Sequence, residues 1–328
     1  MMERRKIPRW GTTQTPLHDW RNIFFFEGLV TILIAIICYF WMENNPATCS
    51  FLSEREKYIA TERIRRERLE HAMEKTSMKH IRRGMLNINN LICAFGFFFN
   101  NVSVQSFALF LPTILRDLGW TATKAQLLTV PPYVAAAAWA IFISWVSDKY
   151  KRRGVFALGH ALVAMTGYTI LVTDDRPAIK YMAVFFGAVG CFPLGPIFLS
   201  WGINSEPYPS FPPCPPPAHH ARLTRYTDAA GPTIRAVSSA YIVSVGTLGA
   251  IIATWTYLPS DGPAYKNGHT INIAAQATAA ILSVSGIFYI RWENNKRARG
   301  ERDYRIQGLK EEEARKLGYR HSEFRYME

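Results

Sequence analysis

The chain has 328 residues, 49% of them apolar or aromatic and 19% charged, below the roughly 25% charge of an ordinary soluble domain. That apolar content excludes a disordered chain, and five scattered cysteines exclude a disulfide scaffold. Lys and Arg total 38 against 25 Asp and Glu, a net charge of +13 that would suit nucleic acid if the bases were not confined to segments between long apolar runs.

A bilayer core about 30 Å thick needs roughly 20 apolar helical residues. Seven runs qualify: Ile23 to Met42, Ile88 to Leu115, Leu127 to Val146, Val155 to Val172, Tyr181 to Ile203, Ala236 to Tyr257 and Ile271 to Ile290. The first starts too late and runs too long for a cleaved signal peptide. Between the first two lies LSEREKYIATERIRRERLEHAMEK, where Ser53 and Glu56 make a capping box at the start of a solvated helix. Residues 205–228 are dense in proline, from Pro207 through Pro217. Proline blocks helix and leaves polar groups unmet in lipid, so this segment is expected as extended coil on the cytoplasmic side. The lipid bilayer is thus the first partner that the sequence predicts, and nucleic acid is not one.

Cytoplasmic loops carry excess Lys and Arg near span ends. The loop from Glu43 to Asn87, with bases from Arg55 to Arg83, the loop SDKYKRRG and the tail beginning RWENNKRARGERDYR meet that rule, and they fall on one side of the zigzag. The opposite loops, such as TDDRPAIK and LPSDGPAYKNGHT, are poor in base. The C-terminus is therefore expected in the cytoplasm. Seven spans then put the N-terminus outside, where Arg4, Arg5, Lys6 and Arg9 break the rule. The residues leave open a wrong first span or an abnormal chain start.

Polar side chains inside a span are costly and mark either a pathway or a helix contact. Asn101 and Gln105 share a face of the second span, with Asn100 beside them. As amides they suit a carboxylate or a protonated group, or equally a neighbouring helix. Arg235 opens the sixth span. It reads first as a side chain snorkelling to the surface, and second as a bidentate partner for an anion. Tyr133 follows Pro131 and Pro132, which can free carbonyls in the third span. Trp201 reads as an interface anchor, and His160 and Glu27 as structural. His219 and His220 beside Cys214 lack ligand spacing, so no metal is expected, and no cofactor. No nucleophile, base and orienter stand together, and no glycine-rich phosphate loop is present, so no enzyme is expected.

Several long segments carry a family likeness. WRNIFFFEGLVTILIAIICYFWMENNPATCSFLSEREKYIATERIRRE resembles the sixth helix and central loop of a major facilitator superfamily transporter, and more closely those of the fungal allantoate permease (anion:cation symporter) group. FALFLPTILRDLGWTATKAQLLTVPPY, AAGPTIRAVSSAYIVSVGTLGAIIATWTY and the tail RDYRIQGLKEEEARKLGYRHSEFRYM resemble the same group. SDKYKRRG resembles the superfamily's G-x-x-x-D-R-x-x-R-R loop. Asp148 and Lys149 open it, Arg152 and Arg153 close it, and Ser144 replaces the glycine.

The resemblance implies an all-α membrane protein of about seven transmembrane helices, equivalent to helix 6 plus the C-terminal six-helix bundle. Its helices 1–5 are expected to be missing, as in an N-terminally truncated chain. The proline-dense insert between WGIN and AAGPTIR is what a translated intron would produce. The expected divisions are an atypical segment 1–21, a first helix 22–42, a linker 43–87, a bundle 88–292 with the insert at 205–228, and a cytoplasmic tail 293–328. The implied function is proton-coupled uptake of a small organic anion, a ureide or vitamin carboxylate, at the plasma membrane. Asn100, Asn101, Gln105, Tyr133 and Arg235 are the substrate-binding candidates, and a lone half is expected to transport poorly. The alternatives are a seven-helix receptor or a non-transporting membrane partner.

Overall fold

A computed structural model of the chain describes residues 19–42, 45–49, 51–71, 78–203, 232–308, 320 and 326–327. The proline-dense segment, whose extended cytoplasmic coil the sequence predicts, lies outside the described residues. All regular structure among the described residues is helical, and seven helices are long and apolar enough to cross a membrane. Helix answers the physical demand of lipid, because every backbone N–H and C=O is met within the segment. The chain forms two compact units, Met1–Glu74 and Lys75–Glu328.

The first unit holds α1 (Asp19–Trp41) and α2 (Glu54–His71). Large apolar side chains of α1 such as Phe24, Ile32, Ile36 and Phe40 are exposed along its whole length. Such a helix needs lipid or other helices around it. The capping box of α2 is formed: Ser53 Oγ donates to Glu56 Oε2 at 2.8 Å, and the Ser53 N–H donates to the same oxygen at 3.0 Å. These bonds hold the Glu56 carboxyl below its ordinary pKa.

The second unit runs through α3 (Met78–Met85), α4 (Ile88–Asp117), α5 (Ala122–Tyr150), α6 (Arg153–Thr173), α7 (Pro177–Ile203), α8 (Pro232–Thr247), α9 (Gly249–Thr254) and α10 (Lys266–Ala298). Its packing repeats. With α4, α5 and α6 as one triple and α7, α8–α9 and α10 as the other, α4 packs on α8 and α10, α7 packs on α5 and α6, α4 and α7 meet at the centre, and α6 meets α10. Each leading helix thus takes the trailing helices of the other triple, an internal pseudo-two-fold of the kind that repeat-built transporters use. Small residues set the spacing. A Cβ on Gly167 would lie 2.5 Å from the Gly187 nitrogen, and one on Gly190 would run into the Ala164 backbone. Close backbone approach of this kind is how helices associate in lipid, where apolar burial gives little drive.

Prolines inside the helices leave carbonyls without a partner. Pro132 cannot donate to Leu128, and Tyr181 of α7 donates its hydroxyl to that carbonyl at 3.2 Å instead. The sixth predicted run, Ala236 to Tyr257, is divided. The helix tightens at Leu248, whose N–H bonds to Val245 O at 3.2 Å, and Ile251 N bonds to Leu248 O at 3.1 Å. The cause is local. Gly246 and Gly249 have no Cβ, and a Cβ on either would collide with the Phe97 ring or the Phe98 carbonyl of α4. Those glycines let α4 press against the break.

Candidate functional site

Two ends of the second unit can be told apart by the loops they carry. The basic end holds the loop after α5, the cap of α4 and the end of α10. The opposite end holds the loop from Trp255 to Tyr265. Between them the predicted site residues separate. Asn100 and Asn101 are both buried, yet successive helical residues diverge by about 100°. The Asn100 Oδ1 accepts from Gln276 Nε2 of α10 at 3.4 Å, whereas Asn101 Nδ2 donates to the Gly246 carbonyl at 3.1 Å. Gln105 is half-buried one turn beyond Asn101. Tyr133 is half-buried on α5, edge-on to Phe192 of α7 at 5.4 Å. Arg235 is half-buried in the first turn of α8. Eleven residues of helix separate it from Gly246, a rise of roughly 16 Å. The described residues thus join Asn101 to the break between α8 and α9, and Asn100 to α10.

Further polar groups lie where the sequence reading placed none. His269, Asn272, Gln276 and Ser283 form one buried face of α10. Tyr257 OH lies 3.0 Å from His269 Nδ1, and Asn272 Nδ2 donates to Tyr257 OH at 3.2 Å. Gln276 Nε2 also reaches Cys191 Sγ at 3.6 Å, and Tyr168 OH donates to the Ser103 carbonyl at 3.2 Å. A polar seam therefore runs from the opposite end into the middle of the bundle. Its spacing of three, four and seven residues was the available signal, hidden in a run that carries no charge.

Trp201 is not an interface anchor: its ring is fully buried, against Gly154 and Gly286, and its Nε1 donates to the Met327 carbonyl at 3.1 Å. His160 has both ring nitrogens engaged. Nε2 accepts from Trp139 Nε1 at 3.0 Å, and Nδ1 lies 2.8 Å from the Phe156 carbonyl, so that carbonyl fixes the neutral Nδ1–H tautomer. This is a structural histidine. In the basic loop, Arg153 Nη2 donates to Asp148 Oδ1 at 2.7 Å, with the guanidinium buried and the carboxylate exposed. Lys149 instead lies over the Trp145 ring at 5.4 Å, and Arg152 is exposed. Beside this ion pair is a cavity of about 40 Å³ bordered by Ser144, Ser147 and Ser200. It has room for water but not for an organic anion. Among the described residues, no three His, Cys, Asp or Glu stand together as a metal site.

Comparison with known proteins agrees with this architecture. Residues 10–207 match the model of the Major Facilitator Superfamily. The chain is 25% identical over 289 residues to an uncharacterised transporter of Schizosaccharomyces pombe, covering 87% of this chain and 53% of that protein. It is 24% identical over 294 residues to an MFS-type transporter of Hormonema carpetanum, with 89% and 54% covered. It is 22% identical over 281 residues to the high-affinity nicotinic acid transporter of Saccharomyces cerevisiae, with 86% and 48% covered. The chain spans about half the length of the curated relatives it matches.

Proposed function

The chain belongs to the Major Facilitator Superfamily, whose members are transporters and not enzymes, and from that premise we propose that it forms one wall of a proton-coupled pathway for a small organic anion. It is an integral, multi-pass membrane protein, and the receptor alternative has no support from its relatives. The anion reading draws on the relative named for nicotinic acid, a carboxylic acid. The likeness to the allantoate permease group points the same way, to a ureide or vitamin carboxylate taken up at the plasma membrane.

The observation that carries the site is the interrupted α8–α9 helix. Transporters of repeat architecture place cargo where discontinuous helices present backbone polar groups near mid-membrane. Here Asn101 holds the Gly246 carbonyl at the break. In this reading Asn101 and Gln105 line the cargo site, and Tyr133 gives it an aromatic side. Arg235 attracts the anion on its way, about three helical turns from the break. Asn100 helps hold α10 in place from within the bundle.

The test is uptake in vesicles. Residues 20–328 are joined behind the first five helices of the nicotinic acid transporter. That fusion is expected to take up labelled nicotinate or another carboxylate saturably, faster with protons in excess outside. Asn101→Leu should lower kcat/KM by roughly tenfold, the scale of one lost polar contact. The 328 residues alone should show no uptake, because a rocking transporter needs two halves. Robust uptake by the 328 residues alone, or a well-folded fusion that moves no carboxylate, would overturn the proposal.

A further inference from the structure

The basic end of the second unit is closed by a piece of chain far away in sequence. Tyr326 is 4% exposed and belongs to the same buried core as Trp201, Ile242 and Ile290. The ties that hold it are specific. The Asn294 side chain pairs both main-chain groups of Tyr326: Nδ2 donates to the Tyr326 carbonyl at 2.9 Å, and the Tyr326 N–H donates to Oδ1 at 2.9 Å. A side-chain amide thus does what a neighbouring strand would do, reading extended backbone. The Tyr326 ring lies under the Arg297 guanidinium at 4.9 Å, and its hydroxyl donates to Asn87 Oδ1 at 3.4 Å. One residue on, Trp201 Nε1 donates to the Met327 carbonyl.

The receptor groups also have partners outside this segment. Arg297 is held by Glu293 at 3.0 Å, and Glu293 also takes Arg302 at 2.7 Å, just after α10 ends. Asn87 caps α4 by accepting from the Asn89 N–H at 3.1 Å. Trp201 closes α7, and Asn294 stands in the last turns of α10. Three helices that begin or end at this level therefore share one occupant.

We propose that this end of the bundle is a peptide-binding site for an extended segment with one aromatic residue, that its occupant is the chain's own Tyr326–Met327, and that occupancy clamps α4, α7 and α10 together. The site recognises the backbone through Asn294 and Trp201 and selects an aromatic side chain through Arg297. The hydroxyl contact at 3.4 Å is long, so phenylalanine should be accepted in place of tyrosine. The proposal does not depend on any cargo.

The test uses the chain in detergent or nanodiscs. A form ending at Arg325 should bind a fluorescent peptide of residues 309–328 saturably, while the full chain, with its site filled, should not. A peptide carrying Tyr326→Phe should bind within about threefold of the parent, and one carrying Tyr326→Ala should lose binding. Asn294→Ala in the shortened chain should weaken binding by roughly tenfold or more, the scale expected for two main-chain hydrogen bonds. Equal peptide binding by full and shortened chains, or by the Asn294→Ala form and its parent, would refute the site. Should the shortened chain fail to fold, carboxypeptidase digestion of the intact chain decides. Trimming should stall before Tyr326 in the parent and pass it in Asn294→Ala, whereas rapid trimming past Tyr326 in the parent overturns the proposal. Peptide exchange between two full chains in a dimer would also overturn it, since the occupant would then be a second copy's tail.

Discussion

Tyr265 precedes α10 with a φ of 46°, in the left-handed region that costs an aromatic residue on the order of 1–2 kcal/mol. Its hydroxyl donates to Asp117 Oδ2 at 2.5 Å, and a hydrogen bond to a charged group returns about 1.5–3 kcal/mol. The contact therefore offsets the strain and ties the end of α4 to the start of α10. Burial first, and the Asp117 carboxylate second, push the Tyr265 phenol up to about 12 from its ordinary 10. The neutral phenol is the form that folding favours. Its contribution is fully present below pH 10 and is lost as pH rises from about 10 through about 12. We predict that the unfolding midpoint of the solubilised chain drops across that window, and that Tyr265→Phe lowers stability at pH 8 while flattening the drop. An equal drop in Tyr265→Phe would assign it elsewhere. Nothing in the sequence pointed to this pair, because Asp117 and Tyr265 stand at the edges of two separate spans. Glu56 and Ser53, by contrast, were legible, since a capping box is a local pattern.

At the scale of elements, the apolar runs were legible because lipid demands length and composition before anything else. What composition hides is which helix face meets which neighbour. The run from Ile271 to Ile290 reads as uncharged, yet its buried Gln276 bonds to Asn100 of α4 and Cys191 of α7, and its buried Asn272 bonds to Tyr257. Trp201 was misread for the same reason: an aromatic at the end of a run can anchor at an interface or close a core, and only packing distinguishes them. The division of α8 from α9 was also out of reach, since it comes from two glycines meeting Phe97 and Phe98. The seam makes a testable claim about pairing. Gln276→Leu leaves the Asn100 amide with a lost partner, and should cost about 1 kcal/mol in the unfolding of the solubilised chain. Adding Asn100→Leu should cost less than the sum of the single changes, because both groups are then removed together. Strict additivity would mean that the 3.4 Å contact carries no energy.

At the scale of the molecule, the seven runs were legible in the sequence, while the depth at which each site candidate sits was not. A wall needs side chains from different helices at one depth, and Arg235 lies well away from Asn101 along α8. Orientation is a property of the whole chain, and charge decides it. Lys149, Lys151 and Arg152 after α5 and the bases from Lys296 to Arg305 all lie at the basic end, with Arg153 and Glu293 fixing their segments through ion pairs. The loop from Trp255 to Tyr265 at the other end carries no base. Translocating the basic end would be opposed by that bias, so it should stay in the cytoplasm. We predict that Ser260→Cys reacts with an impermeant maleimide from outside intact cells, and that Glu301→Cys reacts only after the membrane is opened. The background should be low where the thiols are buried, as for Cys49, Cys93 and Cys191, while the exposed Cys38 and also Cys214 are first changed to serine. Labelling of position 301 in intact cells would invert the topology, and would place the docked tail on the outer face.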